Sequence, residues 1–145
     1  MHAPDAHTSL HVRRRFAASR ERVFQAWTEA RELERWLRPL GSKVRVTHLD
    51  LRVAGAYRFE LQYPEGGVTY IEGNYVEIAR PERLAFTWSF DGTGGAQTLV
   101  TVEFVEEGGA TEVRLTHERL ADEAMVQAHR AGWESCLDML AQVLE

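Results

Sequence analysis

The segment DEAMVQAHRAGWESCLDMLAQVL, residues 122–144, decides the fold. Its apolar residues recur every three or four positions, which is the period of one face of an α-helix. That stripe contains Met125, Ala128, His129, Gly132, Trp133, Cys136, Leu137, Leu140 and Leu144, and the opposite face carries Gln127, Arg130, Glu134 and Asp138. Asp122 is suited to be the N-cap. We predict a helix of about 23 residues, ~34 Å long, whose apolar face must pack on a sheet.

Upstream of this helix the apolar residues alternate with polar ones, as they do in half-buried strands. The segment Ala56–Tyr63 shows the alternation most clearly. Tight turns follow at 64–67, 80–82 and 106–109, and a glycine-rich loop at 91–95, so successive strands form an antiparallel meander. The predicted strands are Leu10–Phe16, Lys43–Leu51, Ala56–Tyr63, Val68–Ile78, the run from Leu84 to Phe90, Gln97–Val105 and Thr111–Leu120.

Two short helices are predicted between the first strand and the meander. Ser19 is suited to cap a helix that carries Val23, Phe24 and Trp27, and a second helix covers Ala30–Leu37. Pro39 and Gly41 stop it. The order of strand, two short helices, meander and long helix predicts an α+β fold with its helices on one face of an antiparallel sheet. We expect residues 1–8 to be a flexible tail and 9–145 a single domain.

Composition excludes several classes of protein. The 145 residues are 44% hydrophobic and 27% charged, which is typical of one globular domain. The net charge of -5 and a basic run limited to residues 13–15 argue against a nucleic-acid partner. No stretch approaches the ~18 apolar residues of a membrane span, and the polar N-terminus shows no secretory signal. With a single cysteine, Cys136, we expect a cytoplasmic protein without disulfides.

A set of short segments, in order, carries a resemblance to a known family. They are RFAASRERVFQAWT at 15–28, WLRPLG at 36–41, DLRVAGAYRF at 50–59, GNYVEIARPERLAFTW at 73–88, TLVTV at 98–102, LTHE at 115–118 and GW at 132–133. The chain resembles the Hsp90-ATPase-activator-homologue-like (AHSA1-type) family of the START-like, or SRPBCC, superfamily. The family commonly has Pro where Ser19 stands and Gly where Ala54 stands, and both are turn positions.

This resemblance implies the helix-grip fold, also called START-like or Bet v 1-like, with a curved antiparallel sheet around the long C-terminal helix. It also implies a cavity between the sheet and that helix. It leaves the function open, because the superfamily contains lipid carriers, hormone receptors, cyclases and a minority of co-chaperones. The expected partner is a small hydrophobic ligand of unknown identity, and the chain is expected to be a monomer or a homodimer.

Aromatic residues are numerous for a core of this size, and some of them are candidates to line the cavity. Trp133 is the strongest of these candidates, because its neighbour Gly132 destabilises a helix interior relative to alanine. Such a glycine indicates close packing or free space beside it. The candidate ligand-binding residues are Trp36, Tyr57, Phe59, Tyr70, Phe86, Trp88, Gln97, His129 and Trp133. For any one of the aromatic residues the alternative is simple filling of the core.

Four polar residues are candidates to project into the pocket: Arg14, His48, Glu72 and His117. Arg14, His48 and His117 share the strand parity of apolar neighbours, and a buried arginine would need an acidic partner such as Glu72. The alternatives are that Arg14 reaches water at an edge strand and that each histidine is hydrogen-bonded or lies at the core boundary.

The sequence predicts no metal site and no cofactor. No two histidines have the i, i+4 spacing of a metal site on a predicted helix, and no Gly-x-Ser-x-Gly elbow is present. Cys136 falls on the buried stripe, where a thiol is usually inert. Three functions remain open: binding of a small hydrophobic molecule with no defined reaction, an enzyme of the polyketide cyclase/dehydratase type in the same cavity, and a protein-interaction or co-chaperone-like module.

Overall fold

The computed structural model of the chain describes residues 8–89 and 96–144. These two ranges contain seven strands, three α-helices and a 3₁₀ turn at Pro39–Gly41. The strands are β1 Leu10–Phe16, β2 Lys43–Leu49, β3 Ala56–Gln62, β4 Val68–Ala79, β5 Arg83–Trp88, β6 Thr98–Glu107 and β7 Ala110–Glu118; the helices are α1 Arg20–Thr28, α2 Ala30–Trp36 and α3 Glu123–Val143. The predicted tail up to residue 7, Phe90 and the predicted loop 91–95 lie outside the described residues.

All seven strands join one antiparallel sheet in the order β1-β7-β6-β5-β4-β3-β2. Strands β2 to β7 form the predicted meander, and β1 pairs with β7 over its whole length. Helix α3 contacts β1, α2 and the 3₁₀ turn, and α1 contacts β6 and β7. The predicted α+β architecture of antiparallel sheet, two short helices and long C-terminal helix is therefore confirmed.

Side-chain caps and one indole hydrogen bond fix the helices. The Ser19 side chain accepts from the Arg22 backbone N–H at 3.2 Å, and that of Asp122 accepts from the Met125 N–H at 2.9 Å. Both predicted N-caps are thus confirmed. Trp36 Nε1 donates to the Ala26 carbonyl at 2.8 Å, which ties α2 to α1.

The buried face of α3 is close to the predicted stripe. Val126, His129, Trp133, Cys136, Leu137 and Leu140 are buried, whereas Ala128 is exposed. Val126 was not part of the predicted stripe; its burial widens the apolar face by one position. Trp133 is only 3% exposed, so the helix presents this side to the core as predicted.

Charges of both signs cover the outer surface of the sheet. Arg83 contacts Glu77 at 2.8 Å and Glu103 at 3.4 Å, and Arg58 contacts Glu72 at 3.3 Å. Such interspersed pairs create no large field of one sign. None of the helices within 8–89 and 96–144 combines the length and hydropathy that a membrane crossing needs.

Candidate functional site

A cavity of about 250 Å³ lies between α3 and the sheet. Strands β3, β4 and β5 form one wall, α3 forms the other, and the segment after α2 closes one end. The lining residues are Leu37, Pro39, Leu61, Tyr63, Ile71, Trp88, Met125, Ala128, His129, Gly132, Trp133 and Cys136. The space lies where the fold predicts it, beneath the long helix.

The wall of the cavity is almost entirely carbon and carries no Asp, Glu, Lys or Arg. Burial raises the pKa of the Cys136 thiol to about 12, so that thiol is protonated and a poor nucleophile at neutral pH. Burial also lowers the pKa of His129, against an opposing hydrogen bond to the Met125 carbonyl at 3.0 Å. Since a carbonyl only accepts, His129 Nδ1 carries the proton of that bond. The wall is therefore electrically neutral near pH 7.

A chain of hydrogen bonds links Trp133 to the backbone of Trp88, on the side of these residues away from the cavity. Trp133 Nε1 donates to His117 Nδ1 at 3.0 Å, so His117 must carry its own proton on Nε2. That atom lies 2.7 Å from Thr98 Oγ1, and the Thr98 hydroxyl donates to the Trp88 carbonyl at 2.7 Å. His117 is fully buried and uses both ring nitrogens in this chain. It positions Trp133 and has no lone pair left for a ligand.

The sequence-derived ligand candidates fall into three places. Trp88, His129 and Trp133 line the cavity. Tyr57, Phe59 and Phe86 line a smaller void of about 20 Å³, which shares Leu37, Trp88 and Trp133 with the cavity. Trp36 lines neither space; it is fully buried against Trp27, with ring centroids 4.6 Å apart.

Tyr70 and Gln97 do not reach the cavity either. The Arg58 guanidinium lies 4.0 Å from the centre of the Tyr70 ring, and the Tyr70 hydroxyl lies 3.5 Å from Glu60 Oε2. These partners belong to the charged outer surface. Gln97 is exposed because it precedes β6, which begins at Thr98 and provides the first inward side chain of that strand.

None of the four polar candidates, all of which fall within the described residues, lines the cavity. Arg14 forms an ion pair with Asp138 of α3 and keeps 38% of its side chain exposed. His48 has the parity of Val44 and Val46, but the register shifts between Val46 and His48, which leaves His48 exposed. Glu72 is exposed and paired with Arg58. Only His117 among the four is interior, in the hydrogen-bonded chain behind Trp133.

Nine of the twelve lining residues were not candidates on sequence grounds. Leu61 and Ile71 sit on the inward parity of β3 and β4, which also marks ordinary core residues. Met125 and Ala128 belong to the helical stripe, and Pro39 was interpreted only as a helix stop. Periodicity could identify the face of each of these residues, but it could not separate a cavity wall from a packed core.

The sequence places this chain in a family. The sequence model for the family described as "Activator of Hsp90 ATPase homolog 1-like protein" matches residues 17–145. The chain belongs to this family. Its fold is therefore that of an Activator of Hsp90 ATPase homolog 1-like domain.

Solved structures resemble this domain over nearly its whole length. A protein from Chromobacterium violaceum is 27% identical with a TM-score of 0.88, covering 95% of this chain and 97% of the other. The AHSA1 protein from Silicibacter pomeroyi is 28% identical with a TM-score of 0.82, covering 94% and 96%. A Rhodobacter sphaeroides protein is 26% identical with a TM-score of 0.82, covering 98% and 95%. No curated protein matches the chain.

Gly132 gives a first test of the geometry in this Activator of Hsp90 ATPase homolog 1-like domain. A Cβ atom added there would lie 3.7 Å from the Pro39 Cβ, an ordinary van der Waals contact. Glycine in a helix interior costs about 1 kcal/mol relative to alanine. We expect Gly132→Ala to raise the free energy of unfolding in urea by about 0.5–1 kcal/mol. The reciprocal change Ala131→Gly, at an exposed neighbour, should lower it similarly; a destabilising Gly132→Ala would contradict the geometry.

Proposed function

We propose that this domain binds a small apolar molecule in the cavity between the sheet and α3, with no defined reaction. The observation that carries the proposal is the 250 Å³ space itself. Protein interiors are packed as densely as organic crystals and contain few voids larger than a water molecule. A space of this size beside tightly packed indoles is what a ligand pocket requires, namely a concave apolar site with few polar groups.

Access to this space supports the proposal. Ala128 is exposed, and Pro39, Tyr63, Met125 and Gly132 are partly exposed although all five line the cavity. Lining residues that also reach solvent mark the mouth of a pocket. A ligand would enter between α3 and the segment around Pro39, without unfolding the sheet.

The test uses a substitution on α3 that narrows the mouth of the cavity. We expect Ala128→Phe to weaken binding of the neutral two-ring fluorescent probe prodan, 6-propionyl-2-(dimethylamino)naphthalene, at least tenfold, because the added ring occupies space that the probe needs. Fluorescence titration measures the affinity. Ala131→Phe makes the same change at an exposed position of α3 outside the cavity lining and should bind as the native chain does. Equal affinities in the native chain and Ala128→Phe, or no saturable binding at all, would refute the proposal.

An enzyme of the polyketide cyclase/dehydratase type is a second candidate, and His129 favours it. This imidazole lies at the cavity wall, and its lowered pKa keeps it neutral and able to accept a proton near pH 7. The other titratable candidates give less support, because His48 and Glu72 are exposed and His117 is committed to Trp133 and Thr98. Binding needs only the cavity, whereas acid–base catalysis needs a second titratable group beside His129.

A protein-interaction or co-chaperone-like role has weaker support from the surface. The exposed large apolar residues of the described chain are Leu51, Val53, Val68 and Val76. Scattered exposed apolar side chains are normal on soluble proteins, and only a contiguous patch of several hundred Å² would indicate an interface. The Arg58–Glu72 ion pair lies between Val68 and Val76 along β4.

A further inference from the structure

The chemistry of the cavity wall narrows the class of ligand, and this step rests on the proposed binding function. Four of the lining side chains are planar rings: Tyr63, Trp88, His129 and Trp133. The two indoles meet with centroids 5.0 Å apart and planes inclined at 43°. Aromatic rings gain most from other flat rings, in offset-stacked or edge-to-face contact. Such a wall favours a planar molecule over a branched aliphatic one.

The volume sets the size of that molecule. The cavity has a volume of about 250 Å³. It lies just below the ~300–1,000 Å³ of typical ligand sites. One or two fused rings with a small substituent fill it, whereas a long acyl chain or a tetracyclic skeleton does not fit without rearrangement.

The lining also determines which charge the ligand can carry. No Asp, Glu, Lys or Arg side chain lines the cavity. Two basic residues are sequence neighbours of the lining: Arg38 donates from Nε to the Ser42 carbonyl at 3.0 Å, and Arg130 donates to the His11 carbonyl at 3.1 Å. An ion moved from water into an apolar space without a partner loses its hydration and gains nothing in return.

We infer that the ligand is an uncharged planar aromatic molecule of one or two rings, and that the site binds carboxylic acids of the same shape more weakly. A neutral polar substituent is compatible with the site because it can lie at the mouth, where Ala128 and Tyr63 reach solvent. Discrimination against the acid arises from the missing counter-charge and not from a clash.

Two probes of nearly identical shape separate charge from size: 2-naphthamide is neutral and 2-naphthoate is an anion at pH 7.5. We expect the amide to bind the native chain at least tenfold more tightly in isothermal titration calorimetry. Ala128→Lys adds an ammonium group at the mouth and should shift the ratio of the two affinities at least tenfold toward the naphthoate. Ala131→Lys adds the same charge outside the cavity and should leave the ratio unchanged.

The outcomes distinguish this inference from the function on which it rests. The native chain could bind naphthoate as tightly as the amide and lose binding of both when Ala128 is replaced by Phe. That result overturns the charge inference and leaves the binding function intact. Saturable binding of prodan without binding of 2-naphthamide overturns the inferred ligand class, because the amide meets each of its criteria. If none of the three probes binds the native chain, the proposed function and this inference fall together.

Discussion

Replacing Trp133 by alanine is expected to lower the free energy of unfolding by about 3–5 kcal/mol, the usual cost of truncating a buried tryptophan. Trp133 is 3% exposed and lies between two other indoles, 5.9 Å from the Trp27 ring and 5.0 Å from the Trp88 ring. The truncation removes these contacts and leaves His117 Nδ1 without its donor. Urea unfolding followed by far-ultraviolet circular dichroism measures the change, and an unchanged m-value would show that the denatured state is unaffected.

Trp133→Phe separates packing from hydrogen bonding at the same site. Phenylalanine keeps most of the ring but cannot donate, so we expect a loss of roughly 1–3 kcal/mol, the cost of a buried acceptor left unsatisfied. Gln127→Ala, on the exposed side of α3, should change stability by less than about 0.5 kcal/mol. A Trp133→Ala variant within about 1 kcal/mol of the native chain would mean that this face of α3 does not pack on the sheet as described.

The elements of the fold were predictable because their signals are local. The bounds of β1 were predicted at both ends, since alternation from Leu10 to Phe16 follows directly from the pleat of a strand. The N-caps Ser19 and Asp122 act on N–H groups three residues away, so their side chains alone indicate where α1 and α3 begin. The order of β2 to β7 followed from short turns between consecutive strands, whereas the pairing of β1 with β7 was not predicted.

The site was less predictable because it depends on the register of the strands and on how closely the helix packs on the sheet. Parity placed His48 inward, but one irregular step between Val46 and His48 reverses every later side chain of that strand. Parity also placed His117 inward, yet only the pairing of β7 with β6 brings it to Thr98. Leu61 and Ile71 show the same alternation whether they pack against helix atoms or face an empty space. The volume of a cavity depends on how closely two packed faces fit together, and no sequence period encodes that fit.

The second large effect is expected on acidification. Burial, with a smaller contribution from His129, holds the pKa of His117 well below its usual value of 6.5. The folded state therefore keeps His117 neutral while the unfolded chain binds a proton below about pH 6.5, so the unfolded state gains stability as the pH falls. We expect the free energy of unfolding to fall by up to about 1.4 kcal/mol per pH unit below 6.5 from His117, or about 2 kcal/mol at pH 5. His129, whose pKa burial also lowers, should add to this loss.

Urea titrations between pH 7.5 and 5 measure this slope in a range above the usual titration of carboxylates. His117→Gln removes the titrating ring; it should cost stability at pH 7.5, but its slope below pH 6.5 should be flatter by up to one proton. His48→Gln deletes an exposed imidazole and controls for the substitution itself. The physical reason lies in the hydrogen-bonded chain: a protonated His117 would present an N–H to the N–H of Trp133, and the two donors cannot share a bond. Equal slopes in the native chain and His117→Gln would show that His117 is not the buried neutral partner of Trp133.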